Sequence, residues 1–137
     1  MNRIPIIILF LFNKIIFSQD QGLEHYSNQK FDDAKKYYEA LILGNGSIPE
    51  AHFGKGAASY QLVEFVSARD SFDKSLKSSD KQVKSKAYYN LGNTFYKNNK
   101  KEEAIKYYRK ALELNPNDKE AKFNYELLKY QPDPPKE

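Results

Sequence analysis

The stretch Ser85–Asp118, SKAYYNLGNTFYKNNKKEEAIKYYRKALELNPND, decides how the rest of the chain is read. Gly92 and Ala104 stand twelve residues apart in it. Pro116 closes it, because proline lacks the N–H that a further helical turn needs and its ring clashes with the turn before. Working outward, the run Lys100–Tyr108 (KKEEAIKYY) has two counterparts, Lys30–Tyr38 (KFDDAKKYY) and Glu64–Phe72 (EFVSARDSF). Their alanines, Ala34, Ala68 and Ala104, are 34 and 36 residues apart, and a glycine precedes each by twelve: Gly22, Gly56 and Gly92. That period belongs to a repeated helix-turn-helix unit. Two small residues in register let a pair of helices cross closely, since a larger side chain would push the backbones apart.

Ser85–Asp118 closely resembles the tetratricopeptide repeat. Tyr88 takes the place of the usual tryptophan, and Leu91, Gly92, Phe95, Ala104, Tyr108, Ala111 and Pro116 fall on the other signature positions. The resemblance implies an all-α fold, a right-handed α-solenoid of about three helix-turn-helix repeats with a C-terminal capping helix. The second unit, 49–82, is degenerate: Lys55 stands where leucine is expected, Ser75 replaces alanine, and no proline closes it. The first unit would run from Ile15 to Ile48, or over 19–48 if its opening turn is removed, with a short first helix near Gln19–Gln29. Beyond the third repeat (85–118), Ala121, Tyr125 and Leu128 recur at helical spacing, so 119–130 reads as a cap whose apolar stripe covers the last repeat. The segment 131–137, QPDPPKE, holds three prolines and reads as a disordered tail.

The first eighteen residues differ from the rest. Arg3 precedes the apolar run Ile4–Phe12, and Asn13-Lys14, Ile15-Ile16-Phe17 and Ser18 follow. A spanning helix needs about 20 apolar residues without an internal charge, and this run is shorter. A basic start, a short apolar core and a small residue match a secretory signal peptide over 1–18, with cleavage after Ser18 and a mature start at Gln19. Lys14 lies unusually near that cleavage point, so an uncleaved anchor stays open as an alternative. Removing the leader lowers the net charge from +4 to +2. Export would place the chain in the periplasm or cell envelope, held together by packing alone.

Composition excludes several functions. With 137 residues the chain has the size of one domain. Its lack of cysteine rules out disulfides, thiolate zinc sites, a cysteine nucleophile and a lipid-carrying N-terminal cysteine. A net charge of +4, evenly spread, is too mild for a nucleic-acid footprint. Asp32-Asp33 and Glu102-Glu103 sit near the starts of second helices, where the helix dipole explains them better than acid/base chemistry. His52 occupies the signature tryptophan position of the second repeat and reads as a packed side chain; His25 is similar. No enzyme activity, metal or cofactor is expected.

In tetratricopeptide proteins the first helices line a concave groove. Transferred to this chain, the lining positions are Phe53, Ala57 and Tyr60 in the second repeat, Tyr89, Asn93, Tyr96 and Lys97 in the third, and Phe123 and Leu127 in the cap. An aromatic row with one amide and one lysine suits a protein or peptide ligand, although tyrosines at this spacing equally fill inter-repeat packing. Members that grip acidic chaperone C-termini use lysine, arginine and asparagine at matched positions. Here those positions hold Gln19, Leu23, Phe53, Ala57, Tyr89 and Asn93, without the cations.

The third-repeat run Tyr89–Asn93 (YNLGN) and the segment Asn115–Leu127 (NPNDKEAKFNYEL) resemble the aerotolerance-associated Bat-type repeat proteins of the Bacteroidetes. That resemblance implies an envelope scaffold whose partner is a von Willebrand-type membrane protein. The alternatives are a structural envelope component held by an uncleaved N-terminus, and an accessory subunit of a secretion or peptidoglycan enzyme.

Overall fold

The computed structural model describes residues 21–46 and 48–132. The expected leader, Gln19 and the tail from 133 onward lie outside the described residues. Within them the chain forms seven helices and no strand: α1 Gln21–Ser27, α2 Phe31–Asn45, α3 Pro49–Gln61, α4 Phe65–Ser75, α5 Lys81–Lys97, α6 Lys101–Leu114 and α7 Lys119–Tyr130. Each helix packs on the next, and the first helices α1, α3 and α5 also touch one another from repeat to repeat.

One turn geometry joins the helices of all three pairs. Gln29, Val63 and Asn99 have φ of 60°, 63° and 58°, in the left-handed region. Past each of them a backbone N–H reaches back over the turn: Lys30 to the His25 carbonyl, Glu64 to Ser59 and Lys100 to Phe95, at 2.8–3.0 Å. This pattern satisfies the orphan carbonyls of the first helix and starts the second at a fixed angle. The starts differ from pair to pair. Pro49 opens α3, where its missing N–H is not needed, whereas the Asp80 and Asp118 carboxylates accept from the amides of Gln82 and Ala121 at 2.8 and 3.0 Å.

The core follows the signature residues. Ala34, Ala68, Leu91, Ala104 and Ala111 are fully buried, with Phe72 at 0% exposure and Tyr108 at 2%. What lies nearest the glycines is not an alanine. They meet a ring: a Cβ on Gly92 would lie 2.5 Å from Cε1 of Tyr108, and one on Gly56 would lie 2.8 Å from Cδ1 of Phe72. In each repeat the glycine therefore seats the aromatic sixteen residues downstream, as the pairs Gly22–Tyr38, Gly56–Phe72 and Gly92–Tyr108 show.

The departures of the second repeat have local solutions. Lys55 carries its ammonium out to Glu39 of α2 at 3.2 Å. Buried Ser75 donates its hydroxyl to the Phe72 carbonyl at 2.7 Å, so the polar replacement leaves no unpaired group. Pro116 lies in the exposed turn after α6, and α7 then covers the third repeat with buried Ala121 and Leu128 and half-buried Tyr125. At its C-terminal end the first helix stops at Ser27, two residues before the expected Gln29, which belongs to the left-handed turn.

Candidate peptide-binding groove

The first helices and α7 line two adjoining cavities. The larger, about 730 Å³, is walled by Leu23 and Tyr26 of α1, Tyr38 and Leu41 of α2, Ile48, Phe53, Gly54, Ala57 and Tyr60 at and along α3, and Asn90 and Asn93 of α5. The smaller, about 210 Å³, lies between Tyr60, Asn93, Tyr96, Lys97 and Tyr108 and the α7 residues Asn124, Leu127 and Leu128. Tyr60 and Asn93 belong to both, so the two form one groove along the repeats. Glu50 and Lys97 are its charged wall residues.

Hydrogen bonds fix the middle of this groove. The Tyr108 hydroxyl donates to the Asn93 amide oxygen at 2.7 Å. The Asn124 amide donates to the Tyr89 hydroxyl at 3.2 Å, and to the Asn93 oxygen at 3.5 Å. Asn93 is thus a tie between α5, α6 and α7 as well as a wall residue. Burial holds the Tyr108 hydroxyl far above its ordinary pKa, with Tyr89 and Tyr60 adding to the shift, and burial raises Tyr60 as well. Both rings stay neutral at physiological pH.

Of the expected groove residues, Phe53, Ala57, Tyr60, Asn93, Tyr96, Lys97 and Leu127 lie on the cavity walls. Tyr89 and Phe123 do not. Tyr89 packs against Tyr108 with ring centroids 5.8 Å apart and is held by Asn124, which makes it a packing residue between the third repeat's helices and the cap. Phe123 is not on the cavity walls and is 64% exposed. Several wall residues escape a reading confined to groove positions of the first helices, among them Tyr38, Leu41 and Ile48 from α2 and its following turn, and Asn90 and Asn124, which lie one to three residues from expected positions. For Tyr38 the signal was present, since it follows Gly22 at the spacing by which Tyr108 follows Gly92.

The remaining signature aromatics pack around Tyr107 against the buried core. Phe95 stacks on Tyr107 at 5.0 Å, and Tyr88 lies 6.2 Å from Tyr107 with the Lys110 ammonium 5.4 Å from its ring. His52 is buried at 6% exposure, and burial, then Lys74 and Lys55, push its pKa below the ordinary value. Among the described residues no cluster of three or more histidines and carboxylates is placed to hold a metal, and no helix is long and apolar enough to cross a membrane.

Such an array of antiparallel helix pairs with glycine-seated aromatics is a helical-repeat scaffold. The tetratricopeptide repeat models match residues 20–83 and 85–118, and the chain belongs to that family. It is 33% identical over 98 residues to the photosystem I assembly protein Ycf3 of Acaryochloris marina (strain MBIC 11017), covering 72% of this chain and spanning about half (51%) of the relative's length. Among solved structures it is similar to the tetratricopeptide domain of Arabidopsis OM64, with a TM-score of 0.75 at 26% identity over 82% of this chain and 92% of that one. The second such domain of human RPAP3, solved with the HSP70 peptide SGPTIEEVD, gives a TM-score of 0.73 at 19% identity over 82% and 92% of the two chains.

Proposed function

We propose that this chain is a non-catalytic interaction module that takes an uncharged, largely apolar peptide segment of a partner protein along the groove. The observation that carries this reading is the chemistry of the wall. Leu23, Leu41, Ile48, Phe53, Ala57 and Leu127 offer apolar surface, Asn90, Asn93 and Asn124 offer amides suited to a peptide backbone, and charge is confined to Glu50 and Lys97. The RPAP3 domain holds a peptide ending in acidic residues. Here the groove lacks the cationic set that such a ligand needs, so the shared fold serves a different peptide.

The finer reading is that of an envelope scaffold in an aerotolerance-type complex, with a von Willebrand-type membrane protein as partner. It rests on the leader-like residues 1–18 and on the resemblance carried by Asn115–Leu127. The test uses wall residues outside the Tyr108–Asn93–Asn124 network. Ala57→Glu combined with Tyr96→Ala should leave the melting temperature within a few degrees. It should lower recovery of that membrane protein from solubilised envelopes about tenfold, equivalent to about 1.4 kcal/mol. Undiminished recovery by a stably folded double variant would remove the groove from the account.

A further inference from the structure

One tyrosine per repeat stands at the same register along the groove. Tyr26, Tyr60 and Tyr96 each lie four residues past the repeat glycine, and all three are on the cavity walls. Phe31 and Phe65 brace the first two rings at centroid distances of 5.2 and 5.7 Å. Because α1, α3 and α5 touch in turn, this ladder advances by one helix spacing per rung, about 8–10 Å. The polar group at its centre is one-sided. The Asn93 oxygen accepts from Tyr108 and Asn124 at 2.7 and 3.5 Å, so among the described residues the Nδ2 hydrogens of that amide are left for a ligand. Likewise the Tyr26 hydroxyl accepts from Gln61 at 3.1 Å and keeps its own hydrogen to give. Both positions present positive partial charge, the complement of a carbonyl oxygen.

We infer that the segment taken by this groove is proline-rich and in the polyproline II conformation. The inference rests on the interaction-module reading and adds the backbone form of the ligand. An extended strand places side chains on one face about 6.6 Å or about 13 Å apart, which misses the rungs, and its N–H groups need acceptors. An α-helix uses its carbonyls internally and has few to offer Asn93. Polyproline II repeats every three residues, about 9.3 Å, and its carbonyls are unpaired. A proline at every third position meets each ring with an apolar face, brings no N–H of its own, and is ordered before it binds. Proline is also uncharged and aliphatic, as the wall chemistry requires.

The test compares two blocked, dye-labelled nonapeptides by fluorescence anisotropy on the full chain: three tandem Pro-Pro-Ala triplets, and three tandem Leu-Ser-Ala triplets. The proline peptide should bind at least tenfold more tightly. Tyr26→Leu and Tyr96→Leu keep apolar bulk but lose the flat ring, and each should weaken it several-fold. Asn93→Asp keeps an oxygen for Tyr108 and exchanges the donor for an acceptor, and should weaken it about tenfold. Melting curves establish which variants stay folded; Tyr96 is 46% exposed, so its variant serves even if Asn93→Asp does not fold. Equal or tighter binding of the leucine peptide would overturn the inference and leave an apolar groove standing. Binding of neither peptide would overturn it and count against the groove as well. Tight proline binding that every folded variant retains would put the site elsewhere on the molecule, which also overturns it.

Discussion

Gly92 shows how much one missing Cβ decides. The ring of Tyr108 occupies the space a methyl would take, 2.5 Å away, and the same hydroxyl ties α5 to α6 through Asn93. Gly92→Ala should therefore overpack the crossing and lower stability by about 1–3 kcal/mol. Gly44 is the contrast, because a Cβ there meets nothing within 4 Å. Near the end of α2, Gly44→Ala should raise stability by up to about 0.5–1 kcal/mol, through lower unfolded-chain entropy and better helix propensity. Urea melts of the two variants read the opposite signs. The sequence showed that Gly92 must be small. It did not show what filled the space, because a twelve-residue spacing to Ala104 and a sixteen-residue spacing to Tyr108 are equally regular along the chain. Only the ring's direction separates them.

At the scale of elements, the left-handed turns carry information that propensity hides. Gln29, Val63 and Asn99 share one conformation, yet only Asn99 is a residue type that favours it. Val63 is the strained member, β-branched and 68% exposed, so little packing compensates it. Val63→Asn should stabilise by about 1 kcal/mol, visible as a later midpoint in thermal unfolding with no change in helical content. On α3, His52 gives the fold a pH response. Its pKa in the fold is lowered by burial and by Lys74 and Lys55, so the unfolded chain binds more protons once pH falls below the ordinary value of 6.5. Stability should then be lost as pH falls through about 6.5 and below, toward the lowered folded pKa. His52→Tyr, which restores the residue of the third repeat, should flatten that slope. Equal slopes in both proteins would show that other groups carry the response. The packed histidine was legible from its register, whereas the turn at Val63 was not. Nothing in Leu62-Val63-Glu64 signals a reversal, and the flanking helices impose it.

For the whole molecule, period and composition were enough to read three helix pairs and a cap, because each pair repeats the same small and aromatic residues. Groove membership was less legible. Positions transferred from an ideal repeat reached Phe53, Ala57, Tyr60 and Leu127, but they assumed that Tyr89 faced outward and that α7 presented Phe123. The hydrogen bonds that draw Tyr89 and Asn124 together across 35 residues have no trace in local pattern. Nor could the contribution of Leu41 and Ile48 be seen, since neither lies within a first helix. The wall that results is apolar and amide-lined with one residue of each charge, and the account turns on that chemistry. The most direct measurement is selection of peptides from an unbiased displayed library on the purified protein, followed by titration of the winners against Ala57→Glu/Tyr96→Ala. Enrichment of uncharged peptides rich in aliphatic or aromatic residues, with binding at least tenfold weaker to the double variant, is the predicted result. Enrichment of acidic C-terminal peptides, or winners that bind both proteins equally, would contradict it.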